Sequence, residues 1–202
     1  MSAAKLALID DQEDVRKALA EMLGVFGYKV DSYANADAFL GGTNRPSCIV
    51  SDVRMPGLDG IGLVRKVAAS PLNAPVILIS GHADVPMAVE ALKAGAFDFI
   101  EKPVDDVKLV ASINRALAKS AEQQDLARNM DELNARFERL TPREAEVFDL
   151  VTRGLTNYAV ASELGISVRT VESYRAQIME KMQADGLAML VRQAIRLGRL
   201  AA

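Results

Sequence analysis

The sequence predicts an open α/β unit, a five-stranded parallel, doubly wound sheet, followed by a long linker helix and a four-helix all-α unit. Three observations carry this. Over the first 120 residues, short apolar runs alternate with stretches of helical periodicity. From Asp105 to about Arg139 there is neither proline nor glycine, as one long helix requires. From Leu140 onward only helical patterns remain.

In order, Lys5–Ile9 reads as a strand. A helix follows with Val15, Ala18, Leu19, Met22, Leu23 and Phe26 on one face, and Gly27 stands just past its end. Lys29–Tyr33 is strand-like, and a short helix from about Asn35 to Leu40 ends at Gly41-Gly42. Then come the strand Cys48–Ser51, a helix from about Ile61 to Ala69, the strand Val76–Ser80, a helix around Val85–Ala94 and the strand Phe97–Ile100. Nearly unbroken apolar strands mean a sheet covered on both faces.

In the long helix Leu109, Ile113 and Leu117 form one apolar set, expected to pack on the sheet. Leu126, Met130, Leu133, Phe137 and Leu140 form a second, at 4-3-4-3 spacing. The second half reads as an exposed linker whose seam pairs with another copy or docks on the last domain. Thr141-Pro142-Arg143-Glu144 is a capping box with proline at the first helical position. Val147, Leu150 and Val151 give that helix its apolar face, and Gly154 closes it.

No run of about 18 apolar residues occurs, so no membrane span is expected. The N-terminus lacks the charged-then-apolar pattern of a signal peptide, and a cytoplasmic location is the default. The single cysteine, Cys48, excludes an internal disulfide and a Cys-rich metal site, and reads as a small buried hydrophobe. The net charge of −3 is unevenly spread: residues 1–120 carry 13 basic and 15 acidic side chains, residues 121–140 carry 3 and 5, and residues 141–202 carry 8 and 7. The tail is the least acidic part, which permits nucleic-acid binding without diagnosing it.

A fold of this kind collects its chemistry beyond the carboxyl ends of its strands. Asp10 and Asp11 follow the first strand, Asp52 the third, Ser80 the fourth and Lys102 the fifth. Crowded carboxylates repel one another unless a cation joins them. Oxygen ligands suit a hard ion such as Mg²⁺. A carboxylate can attack phosphorus to give an acyl phosphate, with Lys102 and Ser80 contacting the phosphoryl oxygens. His82, the lone histidine, reads as a loop residue after the fourth strand.

The pieces "LIDDQEDVR", "IVSDVRMPGLDGIGL" and "VILISGHADVPMAVEALKAGAFDFIEKP", in that order, resemble the flavodoxin-like receiver domain of bacterial two-component response regulators. The resemblance makes residues 1–122 the receiver. It implies Asp52 as the residue phosphorylated by a sensor histidine kinase. It implies a Mg²⁺ site of Asp10, Asp11, Asp52 and the Arg54 backbone carbonyl, phosphoryl contacts from Ser80 and Lys102, a cis Lys102–Pro103 bond, and an aromatic switch at Phe99. The family often has threonine where Ser80 stands, and serine keeps the hydroxyl.

Residues 123–138 form the predicted linker and 139–202 a helix-turn-helix domain. "TNYAVASELGISVRTVESYRAQIMEKM" reads as helix, tight turn, helix; the alternative is an ordinary αα-hairpin. At 100° per residue Val171, Ile178 and Met182 lie within about 20° of one line, while Arg169, Glu172, Ser173 and Ala176 lie roughly 100–200° away. Residues 140–182 resemble the reader domain of the nitrate and nitrogen-fixation regulators, shared with the quorum-sensing regulators (LuxR/FixJ/NarL type). By that resemblance Glu172, Ser173 and Ala176 face bases, and Thr156, Arg169, Thr170 and Lys181 contact phosphates. The chain departs from the family at Tyr158-Ala159, where Lys-Glu is common, and at Tyr174, where histidine is common. Ala176 offers a base only an apolar contact. The last helix, with Leu187, Leu190, Val191 and Ala194 on one face, either dimerises the reader, as in the family, or packs within one chain.

The expected function is a transcription regulator switched by phosphorylation. Its implied partners are the kinase, promoter half-sites of double-stranded DNA, RNA polymerase and, once phosphorylated, a second copy. Two alternatives share the acids: a Mg²⁺-dependent aspartyl-phosphate phosphatase, and a phosphorelay module without a DNA role.

Overall fold

The computed structural model describes residues 4–72, 74–81 and 85–201. Two compact units meet at residues 123 and 124. The first contains β1 (Lys5–Ile9), α1 (Glu13–Val25), β2 (Lys29–Tyr33), α2 (Ala36–Leu40), β3 (Cys48–Asp52), α3 (Gly60–Ala68), β4 (Val76–Ser80), α4 (Val85–Lys93) and β5 (Asp98–Glu101). Helix α5 (Asp106–Glu138) begins in it. All strand pairings are parallel, in the order β2-β1-β3-β4-β5.

The pleat sends alternate residues to opposite faces. Leu6, Leu8, Cys48, Val50, Ile77 and Ile79 join Leu19 and Leu23 of α1 and Leu109, Ile113 and Ala116 of α5 in one core. Ala7, Ile9, Ile49, Val76 and Leu78 join Phe39, Leu63, Val64, Val67 and Ala91 in the other. Strands with both faces covered must be apolar throughout, hence runs such as Val76–Ile79, none more than 2 % exposed. Cys48 is fully buried, and burial pushes its thiol up to about 12.

Helix α1 corrects the expected face. Leu19 and Leu23 are buried, but Ala18 is exposed and Phe26 is 50 % exposed. The helix stops at Val25, and Gly27, at φ 87°, turns the chain toward β2, so Phe26 is no longer on the helical stripe.

The second unit contains the end of α5 with α6 (Pro142–Thr152), α7 (Asn157–Leu164), α8 (Val168–Met182) and α9 (Leu187–Arg196). Leu133, Leu140, Val147, Phe148, Val160, Val171, Ile178, Met182, Leu190 and Ala194 make its core. Phe137 meets Phe148 edge-on at 5.3 Å. Most of the α5 seam is therefore spent inside this unit: Met130, Leu133, Phe137 and Leu140 pack on its core, while Leu126 is 57 % exposed. On α9, Leu190 and Ala194 are buried, whereas Leu187 is 42 % exposed. Three of these helix starts follow local chemistry. Thr141 and Glu144 complete the capping box, and Thr156 and Ser167 cap α7 and α8 by accepting from the amides of Ala159 and Thr170. Gly165, at φ 65°, makes the tight turn between α7 and α8.

Candidate functional site

Neighbouring strands β1 and β3 place their end residues side by side, with Ile9 in register with Ser51. Asp10 and Asp52 therefore emerge together, 2 % and 7 % exposed. Lys102, just past β5, reaches across with its Nζ 2.6 Å from Asp52 Oδ1 and 3.0 Å from Asp10 Oδ2. Burial pulls the ammonium's pKa down, but its bonds to Asp52 and Asp10 outweigh that and hold it above the ordinary lysine value. The Arg54 amide donates to the other oxygen, Asp52 Oδ2, at 2.7 Å. The Gln12 amide donates to Asp10 Oδ1 at 2.9 Å.

Ser80 ends β4, 2 % exposed, and its carbonyl accepts from the Lys102 amide at 2.8 Å. Its Oγ donates to the Met87 sulfur on α4 at 3.7 Å. Phe99, in register with Leu78, is half-buried against the α2–α3–α4 core. The Lys102–Pro103 bond is cis. The pocket thus gathers Asp10, Asp52 and Lys102, with Ser80 bonded to the Lys102 backbone. Asp11 differs: its side chain is exposed, and no hydrogen bond or ion pair ties it to the pocket among the described residues. His82 lies outside the described residues.

The donor set fits a hard cation in kind. Asp10 and Asp52 already share one positive charge, the Lys102 ammonium. Among the described residues no three acidic, His or Cys side chains are grouped to hold a metal ion.

The second unit presents a different surface. Arg169, Glu172, Ser173 and Ala176 are exposed along α8, opposite buried Val171, Ile178 and Met182. Ser173 Oγ donates back to the Arg169 carbonyl at 3.2 Å, and Thr170 Oγ1 lies 2.8 Å from Ser167 Oγ. Thr156 is the α7 cap. Arg175 links the two helices by donating to Asn157 Oδ1 at 2.9 Å. Lys181 is the exception: its ammonium is bound to Glu144 of α6 at 2.6 and 2.8 Å.

Several contributors are invisible in the sequence pattern. Gly60 starts α3 beneath the pocket, where a Cβ would stand 2.5 Å from the Asp52 carbonyl oxygen. Met87 reaches Ser80 from α4, which packs beside β5 and α3. The Glu144 side chain, 2 % exposed, was legible as half of a capping box but not as the partner of a lysine 37 residues on.

Comparison with known proteins places these two units. Residues 6–114 match the model of the response regulator receiver domain, and residues 138–194 that of the bacterial regulatory proteins of the luxR family. The chain is 44 % identical to the transcriptional regulatory protein FixJ of Azorhizobium caulinodans over 193 residues, 95 % of this chain and 92 % of that one. Among solved structures, the response regulator StyR matches with a TM-score of 0.86 at 36 % identity, covering 96 % of this chain and all of StyR. Full-length FixJ from B. japonicum matches at 0.60 and 41 % identity, covering 99 % of this chain and all of that one.

Proposed function

The chain belongs to the two-component response regulators, with a receiver domain and a LuxR-type DNA-binding domain, and from that premise we propose which residues run its switch. It is a transcription regulator, and a histidine kinase and DNA are the partners its domains imply. The family supports this reading over the phosphatase and relay ones.

Asp52 is the phosphoacceptor in this reading. A carboxylate oxygen of Asp52 attacks phosphorus, the P–N bond to the kinase histidine breaks, and an acyl phosphate remains. The observation that carries this is the carboxylate itself, held at the end of β3 by Lys102 and by the Arg54 amide. Lys102 follows the charge onto the phosphoryl oxygens, and the Ser80 hydroxyl donates to them. Asp10, Asp11, Asp52 and the Arg54 carbonyl would hold Mg²⁺, which when bound neutralises the gathered negative charge. Phe99 turns inward as Ser80 moves, and the changed surface drives dimerisation. The division into a receiver over 1–122, a linker over 123–138 and a reader over 139–202, a cytoplasmic setting and contact with RNA polymerase belong to the same proposal. On the reader, Glu172, Ser173 and Ala176 face bases, and Thr156, Arg169, Thr170 and Lys181 lie toward phosphates. No described helix is long and apolar enough to cross a membrane.

The test is an Asp52→Asn variant. With acetyl phosphate, the wild type gains one phosphoryl group by mass and binds DNA more tightly, while the variant does neither. Equal stimulation of both proteins removes Asp52 from the role.

A further inference from the structure

Ser80 is buried, and the Met87 sulfur accepts its hydroxyl at 3.7 Å. A thioether is a weak acceptor. The contact sets the Met87 sulfur directly against the hydroxyl that must move toward a phosphoryl group. Met87 is half-buried and lines an open cleft of about 690 Å³ beside Arg54, Pro56, Asp59 and Glu90. One side chain therefore touches the switch hydroxyl from within and borders solvent from without.

We propose that Met87 is an oxidation site that locks the switch: a peroxide converts its thioether to the sulfoxide, whose oxygen holds the Ser80 hydroxyl away from the phosphoryl group. The inference rests on the assignment of Ser80 and Asp52 made above. A sulfur lone pair attacks one peroxide oxygen, an S–O bond forms and the O–O bond breaks. The departing hydroxide takes the proton from the transferred oxygen and leaves as water; sulfur is oxidised by two electrons and the peroxide is reduced. The new S–O bond is shorter than the 3.7 Å gap, so its oxygen can stand within ordinary O–H···O reach of Ser80. A polar sulfoxide oxygen is a far stronger acceptor than sulfur. Asp52 itself is untouched, so phosphorylation continues while its effect on the reader fails. Reduction of the sulfoxide by a thiol-dependent reductase restores the switch.

The experiment uses the full chain, hydrogen peroxide as oxidant, acetyl phosphate as donor, and a duplex selected from random DNA by the donor-treated protein. Peptide mass mapping follows each methionine. Mild peroxide oxidises Met87 ahead of Met182, which is 0 % exposed. The donor-stimulated gain in DNA binding then falls about fivefold, the size of a hydrogen bond's difference between two states, while phosphoryl uptake by mass is unchanged. Met87→Leu shows the same donor response before and after peroxide, and Met87→Gln, with a fixed strong acceptor, is weakly responsive without any. Full response with Met87 mapped as sulfoxide overturns the inference. So does an equal loss in Met87→Leu, which places the damage elsewhere. Should Met87→Gln misfold by circular dichroism, the wild-type and Met87→Leu arms still decide. An unoxidised wild type that ignores the donor overturns the functional reading itself and the inference with it.

Discussion

The Lys181 ammonium lies 2.6 and 2.8 Å from the two carboxylate oxygens of Glu144, which ties the end of α8 to the start of α6. Glu144 Oε2 also accepts from the Thr141 amide at 2.6 Å. Burial raises the Glu144 pKa, but Lys181 and the Thr141 amide outweigh it and hold the carboxyl below the usual range. Lys181→Met leaves that carboxylate buried without its cation and lowers stability by about 3 kcal/mol, read as a lower denaturant midpoint. Glu144→Gln costs about 2 kcal/mol, because a one-third-exposed ammonium can turn to water. A Lys181→Met protein that unfolds normally but binds DNA uniformly more weakly would make Lys181 a phosphate contact alone.

The same pair sets a pH dependence. A depressed folded-state pKa gives stability that is present above the unfolded value and lost as pH falls through the folded one. The wild-type unfolding midpoint should decline below about pH 4.5, and Glu144→Gln should decline less. Parallel curves for the two proteins would show that Glu144 is not the titrating group.

Lys102→Met leaves Asp10 and Asp52 facing each other without their shared cation. Like charges this close repel one another, so the variant should melt several degrees lower than wild type. Magnesium chloride should raise its melting temperature more than that of wild type, since no ammonium competes for the oxygens. If magnesium shifts neither protein, the acid pocket is not a cation site.

Gly60→Ala puts a methyl 2.5 Å from the Asp52 carbonyl oxygen and 2.9 Å from both Val53 Cα and the Leu78 side chain. Two of these three are backbone atoms and cannot rotate away. The expected cost is about 2–3 kcal/mol, with slower phosphoryl uptake from acetyl phosphate as Asp52 shifts. Wild-type stability together with wild-type uptake would show that α3 can tilt to make room.

On α8, Arg169→Ala should weaken binding to all sequences alike and reduce the salt slope by about one. Ser173→Ala and Glu172→Ala should instead change which sequences are selected. A changed consensus for Arg169→Ala, or an unchanged one for both others, reverses the assignment of the face.

The sheet was legible because its signal is local. Apolar runs of strand length followed by Asp10, Asp52 and Ser80 mark both the strands and the ends where chemistry gathers. The Thr141 capping box and the α8 wheel were equally local. Distances across the chain were not. Nothing in the spacing says that Lys102 bridges Asp10 and Asp52, that Asp11 stays exposed, or that Lys181 is engaged by Glu144. The misplaced Phe26 is a local miss, since the apolar periodicity runs one residue beyond Val25, where the helix stops. The α5 seam had the right period, but only the packed second unit shows that Leu133 and Phe137 are consumed in its core.

The only thiol in the chain sits at full burial between the sheet and α1–α5, with its ionisation pushed up to about 12. Thiolates attack maleimides and iodoacetamides, so a buried, protonated thiol gives these reagents no partner. A cysteine introduced on any exposed turn would then be the single reactive handle. Spin labels or fluorophores can be mounted there one at a time, and the motions of the two units followed without first stripping the natural side chain from the core.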